Sequence, residues 1–173
     1  AVGGGGGGQA WGHSNCRQWD GPRGLVGVQA VAAVALHSLA VDADGVVHAW
    51  GHKFHRRCDV PPGLAGVQAV AAGRDHSLAV GADGRVHAWG KNEFRQCDVP
   101  PGVVRRLAVA AGPLHRLAVD ADGLVPAWGH HYHRPCDVLP GLAAPRAVAS
   151  GSYLRLARAR DTSLLAASHH ASL

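Results

Sequence analysis

The chain has 173 residues, 47% of them hydrophobic and 17% charged, with a formal net charge of +5. That balance excludes a disordered tail, the lack of any run of about 18 apolar residues excludes a helical membrane span, and the length suits one domain. The N-terminus lacks the basic, apolar and small-residue zones of a signal peptide, so the sequence reads as soluble. It begins at Ala1 and contains no methionine, which predicts a piece of a longer product or an incomplete gene model.

Residues 1–9 contain the run Gly3 to Gly8. It formally satisfies a Gly-x-Gly-x-x-Gly pattern, but no strand precedes it to root a dinucleotide fingerprint, and a flexible linker is expected. Ala10-Trp11-Gly12 follows, then a connector from His13 to Val26. From residue 27 onward the chain repeats itself. Residues 27–65 and 66–104 share 27 identities in 39 positions without a gap, and Trp11, Trp50, Trp89 and Trp128 stand 39 residues apart. A fixed period of this size marks an array in which each repeat is one supersecondary unit packed on the next. The array is expected to span residues 10–168, with 169–173 as a tail.

Each unit reads as three strands. In the second full copy these are Val67 to Ala72, His76 to Val80 and Val86 to Gly90. Asp44-Gly45, Asp83-Gly84 and Asp122-Gly123 suit the tight turn between second and third strands. The first strand is apolar on both faces, which predicts that it is covered on both sides. Connectors such as Lys91 to Val103 end in Cys97-Asp98-Val99-Pro100-Pro101-Gly102, where paired prolines and a glycine stop strand pairing. The last copy is degenerate: Leu154-Arg155 replaces His-Ser, Asp161-Thr162 replaces Asp-Gly, and Ala166-Ala167-Ser168 replaces Ala-Trp-Gly.

The run from Ala71 to Gly102, with His76-Ser77-Leu78-Ala79-Val80, Ala88-Trp89-Gly90, Asn92 and Gln96-Cys97-Asp98-Val99-Pro100-Pro101-Gly102, resembles the regulator of chromosome condensation repeat family in its compact, three-stranded-blade form. The resemblance implies an all-β propeller, normally of seven blades. At that blade angle about four units sweep roughly 205° of arc, so an incomplete, open ring is expected. The family pattern has glycine six residues after the repeat tryptophan, where this chain has Arg17, Arg56, Arg95 and Arg134. Either the turn there is reshaped or the arginines serve binding.

No His-Glu-x-x-His, Gly-x-Ser-x-Gly or phosphate loop is present, and no enzymatic activity or cofactor is expected. Asp42 with Asp44, and Asp120 with Asp122, flank hairpin turns and read as turn formers. Thirteen histidines invite a metal reading, especially His55 with Cys58 and His133 with Cys136. Equivalent residues are held a blade apart, however, and three or four ligands must converge within about 2.0–2.3 Å of a zinc ion. His37, His76 and His115 open the second strands and are read as structural hydrogen-bonding groups, and the tryptophans as packing between blades. Cys16, Cys58, Cys97 and Cys136 form no Cys-x-x-Cys pair. Free thiols are expected, in keeping with a reducing intracellular compartment.

Two functions from different classes survive. One is a scaffold that binds a protein partner through rim loops, which the resemblance extends to nucleotide exchange on a small GTPase. The other is a basic nucleic-acid or chromatin-associated module, suggested by the net charge. A non-functional fragment of a longer repeat protein is the bland alternative. On the first reading Arg17, Arg56, Arg95 and Arg134, preceded by His13, His52, Lys91 and His130, line one rim and bind an acidic protein or polyanion. Open blade edges also favour self-association.

Overall fold

In this computed structural model the described residues are 17, 20–101, 103, 106–120, 125–129, 147–150, 154–158 and 164–168. Among them the chain is all β, apart from one 3-10 turn at Phe54–Arg56. Strands β1 (Ala30–Ala33), β2 (His37–Val41) and β3 (Val47–Gly51) form the first sheet, and β4 (Ala69–Ala72), β5 (His76–Val80) and β6 (Val86–Gly90) the second. The third comprises β7 (Arg106–Ala111), β8 (His115–Asp120) and β9 (Ala127–Gly129). The fourth comprises β10 (Ala147–Ser150), β11 (Leu154–Arg158) and β12 (Leu164–Ser168). Every sheet is an antiparallel meander, and the register repeats with the sequence. Ala30 opposes Val41 as Ala69 opposes Val80, and Ser38 opposes Trp50 as Ser77 opposes Trp89.

The hairpin turns form as the aspartates require. Asp42 Oδ1 accepts from the Asp44 and Val46 N–H groups at 3.0 and 2.9 Å, and its Oδ2 meets His48 Nε2 at 2.8 Å. Gly45 sits at φ 73°, and a Cβ there would lie 2.7 Å from the Gly66 Cα. Only glycine fits both constraints. The same turn carries the array forward, since the Val67 N–H donates to the Gly45 carbonyl at 3.0 Å.

Sheets stack face to face through apolar clusters. Leu39, Val41 and Val47 of the first sheet meet Ala72, Ala79 and Trp89 of the second. Ala71, Leu78, Val80 and Val86 of the second meet Ala118 and Trp128 of the third. Small Ala and Val side chains permit this close approach, and β5 is buried at all five positions. The fourth sheet packs on the third through β10.

The expectation of two covered faces holds for β4 but not for β1. Val31 is 58% exposed, whereas its counterpart Val70 is half-buried against the first sheet. The reason is positional: Val70 faces a preceding sheet, and among the described residues Val31 does not. Trp89 and Trp128 are 7% and 5% exposed, while Trp50, on that same outer side, is half-buried with Gly21 against its ring. Among the described residues no strand pairing joins the first and last sheets, so the four-sheet arc is open. The glycine run, Ala10-Trp11-Gly12, and any pairing of residues 8–12 with the last strand lie outside the described residues.

Replacing Trp89 with alanine should cost on the order of 3–5 kcal/mol, because it removes a large group from the junction of two sheets. Urea denaturation of parent and Trp89→Ala checks this through the shift in midpoint at constant slope.

Candidate binding rim

Each connector begins where the third strand leaves its sheet. Gly90, at φ 111°, lets the chain pass so close to the β4–β5 turn that a Cβ would meet the Asp75 carbonyl oxygen at 2.7 Å. The connector then turns tightly: the Arg56 N–H donates to the Lys53 carbonyl and the Arg95 N–H to the Asn92 carbonyl, both at 3.1 Å. At the tip Arg17, Arg56 and Arg95 take φ values of 56°, 60° and 55°. Arginine here holds a left-handed backbone that glycine would adopt freely. For an L-residue this costs roughly 1–2 kcal/mol.

The three described arginines hold equivalent places on successive connectors, and all are exposed; Arg134 lies outside the described residues. The Arg56 side chain is 87% exposed and pairs with Asp59 at 3.2 Å, while Arg95 has no ion pair among the described residues. Carboxylates temper the basic rim. Asp20, Asp59 and Asp98 follow the arginines by three residues, and Lys91 pairs with Glu93 at 2.9 Å. Of the residues four places before each arginine, His52 is exposed and Lys91 is half-buried.

Two connectors that share their arginine and cysteine but differ at the five other positions of residues 52–58 and 91–97 are held differently. In the later one Asn92 Oδ1 accepts from the Cys97 N–H at 2.7 Å, Asn92 Nδ2 donates to Asp98 at 2.7 Å, and Gln96 Oε1 accepts from the Phe94 N–H at 2.7 Å. In the earlier one Lys53 stands in place of Asn92 and Arg57 in place of Gln96. Neither can accept a hydrogen bond. Along this stretch His55 also turns left-handed, at φ 58°, and Phe54 is displayed to solvent at 64% exposure with its ring edge-on to His55.

Beneath the rim lies a buried polar junction. Arg57 is 1% exposed; its guanidinium donates to the Phe54 and Arg74 carbonyls at 2.7 and 3.1 Å and pairs with Asp75 at 2.9 Å. The Arg57 carbonyl accepts from Ser77 Oγ–H at 2.8 Å and from Trp89 Nε1–H at 2.9 Å. Having spent its one proton there, Ser77 Oγ accepts from His37 Nε2–H at 3.0 Å, which fixes His37 as the neutral Nε2–H tautomer. Burial, reinforced by the Arg57 charge, pushes the His37 pKa down to about 4.

The structural reading of His37 thus holds, and sequence reasoning did not foresee Arg57 as a core residue. Its signal was the exchange of Gln96 for arginine between copies. At the next junction Arg116 takes the place of Ser77, and the Trp128 indole N–H finds no acceptor among the described residues.

The thiols are structural. Cys58 and Cys97 are free and point at the His52 and Lys91 carbonyls, at 3.8 and 3.3 Å. Burial raises both, Cys97 to about 11, which keeps them protonated and unreactive at neutral pH. Cys16 and Cys136 lie outside the described residues. Among the described residues no three His, Cys, Asp or Glu side chains form a ligand set for a metal ion.

Residues 67–96 match the regulator of chromosome condensation (RCC1) repeat. A search of curated protein sequences found no match. Similar solved structures include Prp20p from Saccharomyces cerevisiae, with 22% identity and a TM-score of 0.65 over 80% of this chain and 44% of that one. Human WBSCR16 follows the same path with 21% identity and a TM-score of 0.69 over 82% of this chain and 47% of that one. So does the ectodomain of the Arabidopsis thaliana receptor kinase ACR4, with 24% identity and a TM-score of 0.68 over 80% and 50%. At these identities the likeness establishes the fold, and the chain spans half or less of the length of each.

The junction makes stability depend on pH. The His37 pKa is about 4 in the folded chain against 6.5 when exposed, so the unfolded chain binds the proton first. Stability from this group is complete above pH 6.5 and should fall by up to about 1.4 kcal/mol per unit as the pH drops toward 4. Denaturation at a series of pH values measures the slope, and His37→Gln, which keeps a donor for Ser77, should flatten it.

Proposed function

Because residues 67–96 match the regulator of chromosome condensation repeat, we propose that this chain is a non-enzymatic scaffold that holds a protein partner against the connector rim of an open propeller arc. The observation that carries this reading is the rim itself. Arg17, Arg56 and Arg95 are displayed on successive connectors in a conformation that costs stability, and the connector of Arg56 also exposes the ring of Phe54. Strained residues at a repeated surface position support recognition rather than packing, since packing gains nothing from an exposed tip.

The finer reading is regulation of a small GTPase, with an acidic face of the partner meeting the arginines. It draws support from the fold shared with Prp20p, a protein with binding properties toward Gsp1p and histones. The immobilised chain should capture Gsp1p or histones and accelerate loss of a fluorescent guanine nucleotide from a loaded GTPase. Capture without acceleration would leave the scaffold and remove the exchange activity; capture of neither would remove both.

Self-association is part of the same proposal, since Val31 leaves an apolar face of the first sheet uncovered among the described residues. The mass measured by sedimentation should rise with protein concentration and fall back when Val31→Lys is introduced.

A further inference from the structure

Comparison of the two described connectors points to a ligand. In the later connector the side-chain oxygen of Asn92 occupies the Cys97 N–H. In the earlier one the equivalent N–H, that of Cys58, has no hydrogen-bond partner among the described residues, and the residue that would supply the oxygen is Lys53. An acceptor has been exchanged for a cation. The Arg56 N–H on this tip is held by the Lys53 carbonyl and the Asp59 N–H by the Arg56 carbonyl, so the Cys58 N–H is the donor left open between them.

Lys53 and Arg56 are both exposed beside it, and Phe54 offers an apolar ring. The four positions before the repeat arginine differ among the copies, as His52-Lys53-Phe54-His55 against Lys91-Asn92-Glu93-Phe94, yet the arginine stays. Pairing with the following aspartate does not account for that, because Asp98 is engaged by Asn92 and Arg56–Asp59 is an exposed pair of small worth.

Resting on the protein-binding reading, we propose that connector residues 52–58 form a carboxylate seat for an extended acidic peptide segment. A glutamate or aspartate of the partner replaces the missing amide oxygen on the Cys58 N–H, flanked by Lys53 and Arg56, and a neighbouring apolar side chain of the peptide covers Phe54. Arg95 on the next connector takes a second carboxylate. Stacked sheets lie roughly 10 Å apart and an extended chain rises about 3.4 Å per residue, so acidic residues about three or more places apart meet successive connectors. A nucleic acid fits less well. Asp59, Glu93 and Asp98 lie among the cations and would repel a continuous row of phosphates, whereas isolated carboxylates can pass between them.

The test uses the whole chain and a dye-labelled 15-residue peptide with glutamate at every third position and leucine beside it, read by fluorescence anisotropy. A lysine-for-glutamate peptide and an oligothymidylate serve as competing probes. Lys53→Asn returns the oxygen to the Cys58 N–H, and Arg56→Gly relaxes the left-handed turn. Each should raise Tm by about 2–4 °C and weaken glutamate-peptide binding about tenfold.

Opposite movement of stability and binding is the signature of a seat held at the expense of the fold. Equal binding by parent and both variants, preference for the oligothymidylate, or no binding of the glutamate peptide would overturn the proposal. Capture of Gsp1p or histones by a chain that ignores the peptide would show that the seat is wrong while the scaffold stands.

Discussion

The carbonyl oxygen of Arg57 is the point on which the union of the first two sheets depends. It belongs to a connector, yet both of its acceptor sites are filled by the second sheet, through Ser77 and the Trp89 indole. His37 of the first sheet closes the circuit on Ser77. All of these groups are buried, where an unmade hydrogen bond is far costlier than a made one is stabilising. The guanidinium of the same residue is tied to Asp75 and two carbonyls, so connector and sheet are fixed together by a single side chain. A buried ion pair of this kind adds little net stability, but losing one partner leaves a charge in the core, at about 3–5 kcal/mol.

Much of this was legible in the sequence, and the failures have physical reasons. Tryptophan spacing and the Asp-Gly turns fixed three strands per unit because turn chemistry and strand period are local. Burial was not local. β1 and β4 share the sequence Ala-Val-Ala-Ala, yet Val31 is exposed and Val70 is not, because coverage depends on what stands next in the array. Arg57 looked like one more surface cation. It is buried because Asp75 replaces the leucine found at Leu36 and Leu114, a compensation visible only once the connector is laid across the next sheet. The arginine column was legible as a departure from a glycine pattern. The sequence alone did not reveal that these arginines sit in left-handed backbone.

Core and rim obey different rules. In the strands of the first two sheets propensity, pattern and packing agree, as a uniquely folded chain requires. At the connector tips they disagree: arginine where glycine is favoured, lysine where an amide would close the turn, phenylalanine facing water. Such local disagreement sits above a buried, hydrogen-bonded junction and is concentrated where a partner can reach it.

The stacking of sheets also governs how the chain comes apart. Each sheet gains its cohesion from its neighbours, so the array behaves as a short one-dimensional chain of coupled units, and loosening starts at its ends. The second sheet is sandwiched on both faces, with β5 sealed along its whole length, whereas the first has Val31 in water. Amide protons of β5 should therefore exchange with solvent only in the rarest, most global openings, and those of β1 in frequent fraying. The connector from residue 52 to 58 bridges the fraying unit and the sealed one. A ligand seated there would brace the first sheet against the second, and recognition at the rim would slow the opening of the array's edge.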